Sequence, residues 1–210
     1  MGQVLALESV LQDRRIWRGQ QAQALPNSAL ATGFDALDFA LPSGGWLEAS
    51  LHEILIASDG IGELSLVLPI LAKLSQQQKP IILIAPPYRP YAPAWQNSGV
   101  RLSQLHVIDA QPKEALWAME QALRSGSCGA VIGWPIKADD KSLRRLQVAA
   151  ETGHTLGFAF RAMSAASNPS PAPVRVSLKG THSTPELRLI KCRGANAPMH
   201  PIAYSPHYRH

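Results

Sequence analysis

Cysteine is nearly absent from this 210-residue chain: Cys128 and Cys192 stand far apart with no CxxC spacing, which excludes a disulfide framework and a cysteine zinc site. Both read as small core residues. Long apolar runs are missing as well. None reaches the roughly 18 residues a membrane-spanning helix needs, and Met1 to Arg18 carries Asp13, Arg14 and Arg15 where a secretory signal would keep an apolar centre. The expectation is a cytoplasmic protein with no membrane partner. Charged residues make up only 17% of the chain and aromatics 6%, too few charges for long solvated helices to dominate. What is plentiful is apolar side chain, 46%, which excludes a wholly disordered chain, and proline, 17 residues, of which seven follow residue 160. One α/β domain with an irregular C-terminal stretch fits this balance.

Charge is unevenly placed. Residues 1–160 hold 13 basic and 14 acidic side chains, whereas residues 161–210 hold 7 basic and 1 acidic, so the last quarter carries the net +5 of the chain and more. Such a stretch implies solubility and weak attraction to any polyanion, or else a specific nucleic-acid site; charge alone leaves both open.

Val4, Leu7, Val10, Leu11 and Trp17 recur near helical spacing, so residues 1–25 read as an amphipathic helix and a polar connector, either standing apart or packing on the domain. The core is expected over 26–194. A short helix over 30–41 ends in Pro42-Ser43-Gly44-Gly45, and strand, glycine loop and helix follow over His52 to Leu74. Strands are expected at Ile81 to Ala85, Leu105 to Ile108, Ala130 to Gly133 and Thr155 to Phe160, with helices at Ala115 to Leu123 and Lys141 to Ala150. This alternation predicts a mostly parallel sheet covered by helices on both faces. Residues 164–173 lack apolar period and charge and read as a flexible loop. Val174 to Leu178 and Glu186 to Cys192 read as an antiparallel hairpin on the sheet edge, and 195–210 as a frayed Pro/His-rich tail.

The loop after the first long strand stands where a phosphate-binding GxxxxGK[ST] turn would stand, yet it reads Ala57-Ser58-Asp59-Gly60-Ile61-Gly62-Glu63-Leu64. Gly60 and Gly62 keep the turn glycine-rich. Ala57 takes the first glycine position, Glu63 the lysine position and Leu64 the hydroxyl position. A carboxylate about 4 Å from a polyanion costs on the order of 1–4 kcal/mol at exposed dielectrics, besides the attraction lost. The later strand ending Val131-Ile132-Gly133-Trp134 offers no carboxylate for a magnesium ion. The expectation is no catalysis, no bound cofactor and no metal. The irregularly spaced tail histidines His200, His207 and His210 lack ligand geometry, and His52-Glu53 is not HExxH and reads as the start of a strand. Asp139-Asp140 reads as favourable charge at a helix N-terminus.

ATGFDALDFALPSGG from Ala31 to Gly45, the degenerate loop and the strand order resemble the core of the RecA recombinase family, over roughly 30–194. More closely, WRG at 17–19, TGFDALD at 32–38, LPSGGW at 41–46 and KCRG at 191–194 resemble ImuA, with the related cell-division inhibitor SulA as the alternative. The resemblance implies a RecA-like three-layer fold and an adaptor of the SOS response. Its partners would be an ImuB-like Y-family protein, RecA and an error-prone polymerase in translesion synthesis. On the alternative, the partner would be the division protein FtsZ. RecA's catalytic glutamate would fall near Pro87 and its nucleotide-sensing glutamine near Arg161 or Ala162; neither is present. Pro135 to Lys141 is too short for RecA's first DNA loop, and 164–173 lacks the cations and aromatics of its second, so DNA binding is expected to be weak or indirect. Candidate partner or DNA contacts are Trp17, Arg144, Arg145, Lys179, Arg188, Lys191 and Arg193, with Arg175 beside them on the hairpin. Strand alternation turns Arg188 away from the core. The aromatic stretch Tyr88 to Trp95 suits either an interface or a cover over the core.

Overall fold

The computed structural model describes residues 28–181 and 184–205. The N-terminal helix expected over 1–25, with Trp17, lies outside them, as do His207 and His210.

Nine strands and five helices alternate along the described chain. A two-residue antiparallel pair, β1 (Ala29–Leu30) and β2 (Trp46–Leu47), brackets α1 (Asp35–Ala40). Then come β3 (Leu51–Ile56), α2 (Leu68–Gln76), β4 (Ile81–Ile84), α3 (Ala92–Asn97), β5 (Leu105–Ile108), α4 (Pro112–Arg124), β6 (Ala130–Gly133), α5 (Asp140–Thr152), β7 (Leu156–Ala162), β8 (Val174–Gly180) and β9 (Pro185–Cys192). The seven strands β3 to β9 form one sheet in the order β5-β4-β6-β7-β3-β8-β9. It is parallel throughout except for the antiparallel β8–β9 pair at one edge.

The central strands are apolar on both sides because both faces are covered. Ile54, Ile56, Phe158 and Phe160 point to one face, where α1, α2 and α3 supply Leu37, Leu71 and Trp95. Leu51, Val131 and Ala159 point to the other, where α4 and α5 supply Met119, Leu123, Leu143 and Leu146. The result is a three-layer α/β fold.

Several local expectations are adjusted. The helix expected after the glycine loop begins at Leu68, because a 3-10 turn over Glu63–Leu66 leads into it and Pro69 suits a first-turn position. Asp139 caps α5, its carboxylate accepting the Ser142 N–H at 2.8 Å; the Ser142 side chain, then that N–H, hold the Asp139 carboxyl below its ordinary range. Residues 164–173 include a 3-10 turn, Met163–Ser167, and several of their carbonyls are engaged by side chains of the hairpin. The tail is not loose up to Ser205. Ile202 donates its N–H to the Leu187 carbonyl at 2.8 Å, covering β9, and Tyr204 is buried against Phe34 with ring centroids 4.9 Å apart. Cys192 is buried and Cys128 half-buried; burial pushes both thiols up.

Candidate functional site

The glycine turn after β3 is built by two left-handed residues, Gly60 (φ 78°) and Gly62 (φ 92°), conformations that side chains with a Cβ rarely adopt. The chain itself engages the turn. Gly60 donates its N–H to Glu63 Oε1 at 3.2 Å, so the carboxylate at the lysine position takes an amide that an anion would need. Ile61 is buried in the core, and Leu64, at the hydroxyl position, packs against it. Ala57 continues the ladder, donating its N–H to Leu178 O. Tyr88 donates its hydroxyl to Asp59 at 3.3 Å, and Tyr204 donates to the Gly62 carbonyl at 3.2 Å.

The basic residues proposed as contacts are not gathered into one patch. Arg144 pairs with Asp140 on its own helix at 2.9 Å, and Arg145 reaches across to Glu120 of α4, which Arg124 also holds at 2.8 Å. Arg188 does point outward, and pairs with Glu186 at 2.5 Å. Lys191 is half-buried and donates to the Ser170 carbonyl at 2.7 Å; burial, then the neighbouring Arg175 and Arg193, lower its pKa. Lys179 and Arg193 stand exposed.

Arg175, grouped in sequence with the outward hairpin cations, is buried instead, and with it lies the feature that sequence reading missed. Glu53, read as an ordinary residue at the start of a strand, is wholly buried at the centre of the sheet. Its register partner Arg175 donates Nε–H to Oε2 at 2.6 Å, and Arg161 from the other neighbouring strand donates to Oε1 at 3.1 Å. Ser170 donates to Oε1 at 3.0 Å. The two guanidiniums then bind loop carbonyls: Arg161 that of Ala138 at 2.6 Å, and Arg175 those of Ala165, Ala166 and Asn168. An ionised carboxylate so deep is stable only with such partners. Two of the seven cations after residue 160 are therefore spent inside the fold. A signal was available: one glutamate within LHEILI, in a strand expected to be covered on both faces, requires cationic partners on its neighbours.

On the opposite face of β3, His52 is also wholly buried, its ring tilted against Trp46 (5.0 Å) and Phe158 (5.6 Å). Its Nε2–H donates to Leu47 O at 3.0 Å, while burial lowers its pKa to about 4.

Exposed apolar side chains are spread over the surface, Phe39, Ile136 and Met199 among them, and one group lies at the β5 edge. Tyr88, Tyr91, Val107 and Ile108 are exposed there, and a cavity of about 530 Å³ opens beside the strand between Tyr88, Arg89, Leu102, Leu105, Val107 and Asp109. Among the described residues no three His, Cys, Asp or Glu side chains are grouped to hold a metal, and no helix is long and apolar enough to cross a membrane.

Comparison with known proteins adds a family. The model of the cell division inhibitor SulA family matches residues 50–157. The cell division inhibitor SulA of Pectobacterium atrosepticum is 32% identical over 145 residues, 67% of this chain and 83% of that protein. That of Klebsiella aerogenes is 35% identical over 106 residues, 50% of this chain and 63% of that protein. A crystal structure of SulA from Pseudomonas aeruginosa, 27% identical, covers 53% of this chain and 97% of its own, with a TM-score of 0.45.

The family match and the sequence relatives overturn the expected kinship with ImuA. With it go translesion synthesis as the process and the ImuB-like subunit, RecA and the error-prone polymerase as partners. The short motifs behind that expectation all lie outside residues 50–157, and those within the described residues serve local geometry. In TGFDALD, Thr32 donates its N–H to Asp38 at 2.8 Å and Gly33 has φ 91°. In LPSGGW, Gly45 lies so close to β1 that a Cβ would stand 2.3 Å from the Leu30 carbonyl oxygen. In KCRG, Gly194 has φ 97° and ends the hairpin.

Proposed function

Because the chain belongs to the family of the cell division inhibitor SulA, we propose that it blocks septation by binding the division protein FtsZ. The observation that carries the reading is the family match over residues 50–157, which runs from β3 to the start of β7 and includes the exposed β5 edge. Action is by association. The fold is a RecA-like core in which the nucleotide turn has become a structural corner, a reading supported by Glu63 at the lysine position accepting the Gly60 N–H and by Leu64 packing inward. The protein then needs no nucleotide of its own. Of the described surfaces, the apolar and aromatic β5 edge suits a protein partner better than the hairpin, whose cations are largely internally paired.

Expression of the full chain from an inducible promoter in undamaged bacterial cells should produce filaments that recover when induction stops. Normal division at high expression, with the protein intact, would refute the reading.

A further inference from the structure

The connection from β7 to β8, residues 163–173, passes over β3, because β3 lies between those two strands in the sheet. Little apolar burial holds it there. It has no charged residue, and its buried side chains are small: Ala165, Ala172 and Pro173. Polar contacts hold it instead. Arg175 donates to the carbonyls of Ala165, Ala166 and Asn168, Lys191 to that of Ser170, and the Ser170 hydroxyl to Glu53. The connection after β6, residues 134–139, is tied down in the same way, Arg161 donating to the Ala138 carbonyl at 2.6 Å. Both ties end on one atom. Glu53 Oε1 accepts from Ser170 at 3.0 Å and from Arg161 at 3.1 Å, while Oε2 is taken by Arg175. The Arg161 arm is the weaker. Arg175 engages all three of its side-chain nitrogens, whereas Arg161 Nε is buried without a hydrogen-bond partner.

We propose that residues 134–139 and 163–173 form one latch with Glu53 as its catch, the two loops opening and closing together above a sheet that stays folded. Loss of the Ser170 contact shifts Oε1, loosens Arg161 and releases Ala138; loosening at Ala138 runs the same chain backwards. The latch opens more easily than the whole fold because side chain-to-carbonyl hydrogen bonds and small residues hold it, where packed strands hold the sheet. In the low dielectric around a wholly buried carboxylate, the contacts on its two oxygens depend on one another. The carboxyl ends of β6 and β7 therefore have two states, and a group that binds one loop changes its neighbour's equilibrium by the same factor in both directions. The coupling is a property of this chain alone and does not depend on FtsZ.

The test uses the purified full chain under native conditions. Lys137 is exposed in the first loop, so trypsin cutting at Lys137–Ala138 reports its opening, and cutting after Lys73, within α2, reports global unfolding. Ser170→Ala, made in the second loop, should speed cleavage at Lys137 about tenfold and leave Lys73 within about twofold. Ser167→Ala, an exposed hydroxyl of the same loop, should change neither site. In the reverse direction, Ala138→Gly loosens the first loop, and the Ala172 amide, which donates to Ser170 Oγ at 3.1 Å, should then exchange its hydrogen about three- to tenfold faster. An unchanged Lys137 rate in Ser170→Ala, an equal rise at Lys137 and Lys73, an equal rise in Ser167→Ala, or an Ala172 amide indifferent to Ala138→Gly would each overturn the latch.

Discussion

Replacing His52 by glutamine should flatten the acid limb of the protein's stability curve. The ring is wholly buried between Trp46 and Phe158, donates Nε2–H to Leu47 O, and has a pKa lowered by burial from 6.5 to about 4. Between those two values the unfolded chain binds a proton that the folded chain refuses, so stability rises with pH across the window and falls on acidification. Each unit is worth about 1.4 kcal/mol, so the shift amounts to about 3 kcal/mol lost by pH 4, with no further loss from this group at lower pH. For a chain of this size that is a fall in Tm on the order of 6–12 °C. Glutamine can still donate to Leu47 O and does not titrate. Chemical denaturation of both proteins from pH 7.5 to 4 isolates the ring, because carboxylates and exposed histidines act equally in each. The wild-type minus variant stability should shrink by about 3 kcal/mol toward pH 4. A difference constant to within about 0.5 kcal/mol would show that His52 carries its proton in the fold, and the buried-neutral account would be wrong.

Three further outcomes follow from particular contacts. Glu53→Gln leaves Arg161 and Arg175 buried without a counter-charge and should cost about 3–5 kcal/mol in urea unfolding; a loss under about 1 kcal/mol would mean the triad is not closed in solution. Gly45→Ala forces a Cβ into the backbone of Leu30, so it should cost about 1–3 kcal/mol and loosen the β1–β2 pair, while Gly44→Ala, with open space around it, bears only the strain of a positive φ. Magnesium and ATP in the millimolar range should leave the melting temperature unchanged within about 1 °C, and a saturable upward shift would restore a nucleotide site to the glycine turn.

Most of the layer architecture was legible in the linear chain. IILI after Lys79-Pro80, the AVIG run and TLGFAF are short, continuous apolar segments separated by amphipathic ones, and in a parallel sheet that pattern has one solution, both faces covered. The hairpin was equally legible from the alternation in VRVSL and ELRLIKC. Family kinship was misjudged because WRG, TGFDALD, LPSGGW and KCRG are short and conspicuous, and the described ones do local work at turns, whereas the shared region between 50 and 157 is a diffuse run of apolar strands. The buried ion-pair cluster was not legible for a related reason. A formal charge count puts Arg161 and Arg175 with the other cations of the last quarter, and only the register of β7, β3 and β8 brings both onto Glu53.

What the sequence determined by itself is therefore the alternation of strands and helices and the substitution of Glu63 and Leu64 in the turn, since periodicity and side-chain chemistry act over a few neighbouring residues. Only the tertiary structure decided which charges are spent in the core, that the tail closes one sheet edge at Ile202, and that β5 lies at the other edge with no outer partner among the described residues. These depend on which strands become neighbours. That order is set by packing many distant apolar groups at once, and no local stretch of the chain encodes it.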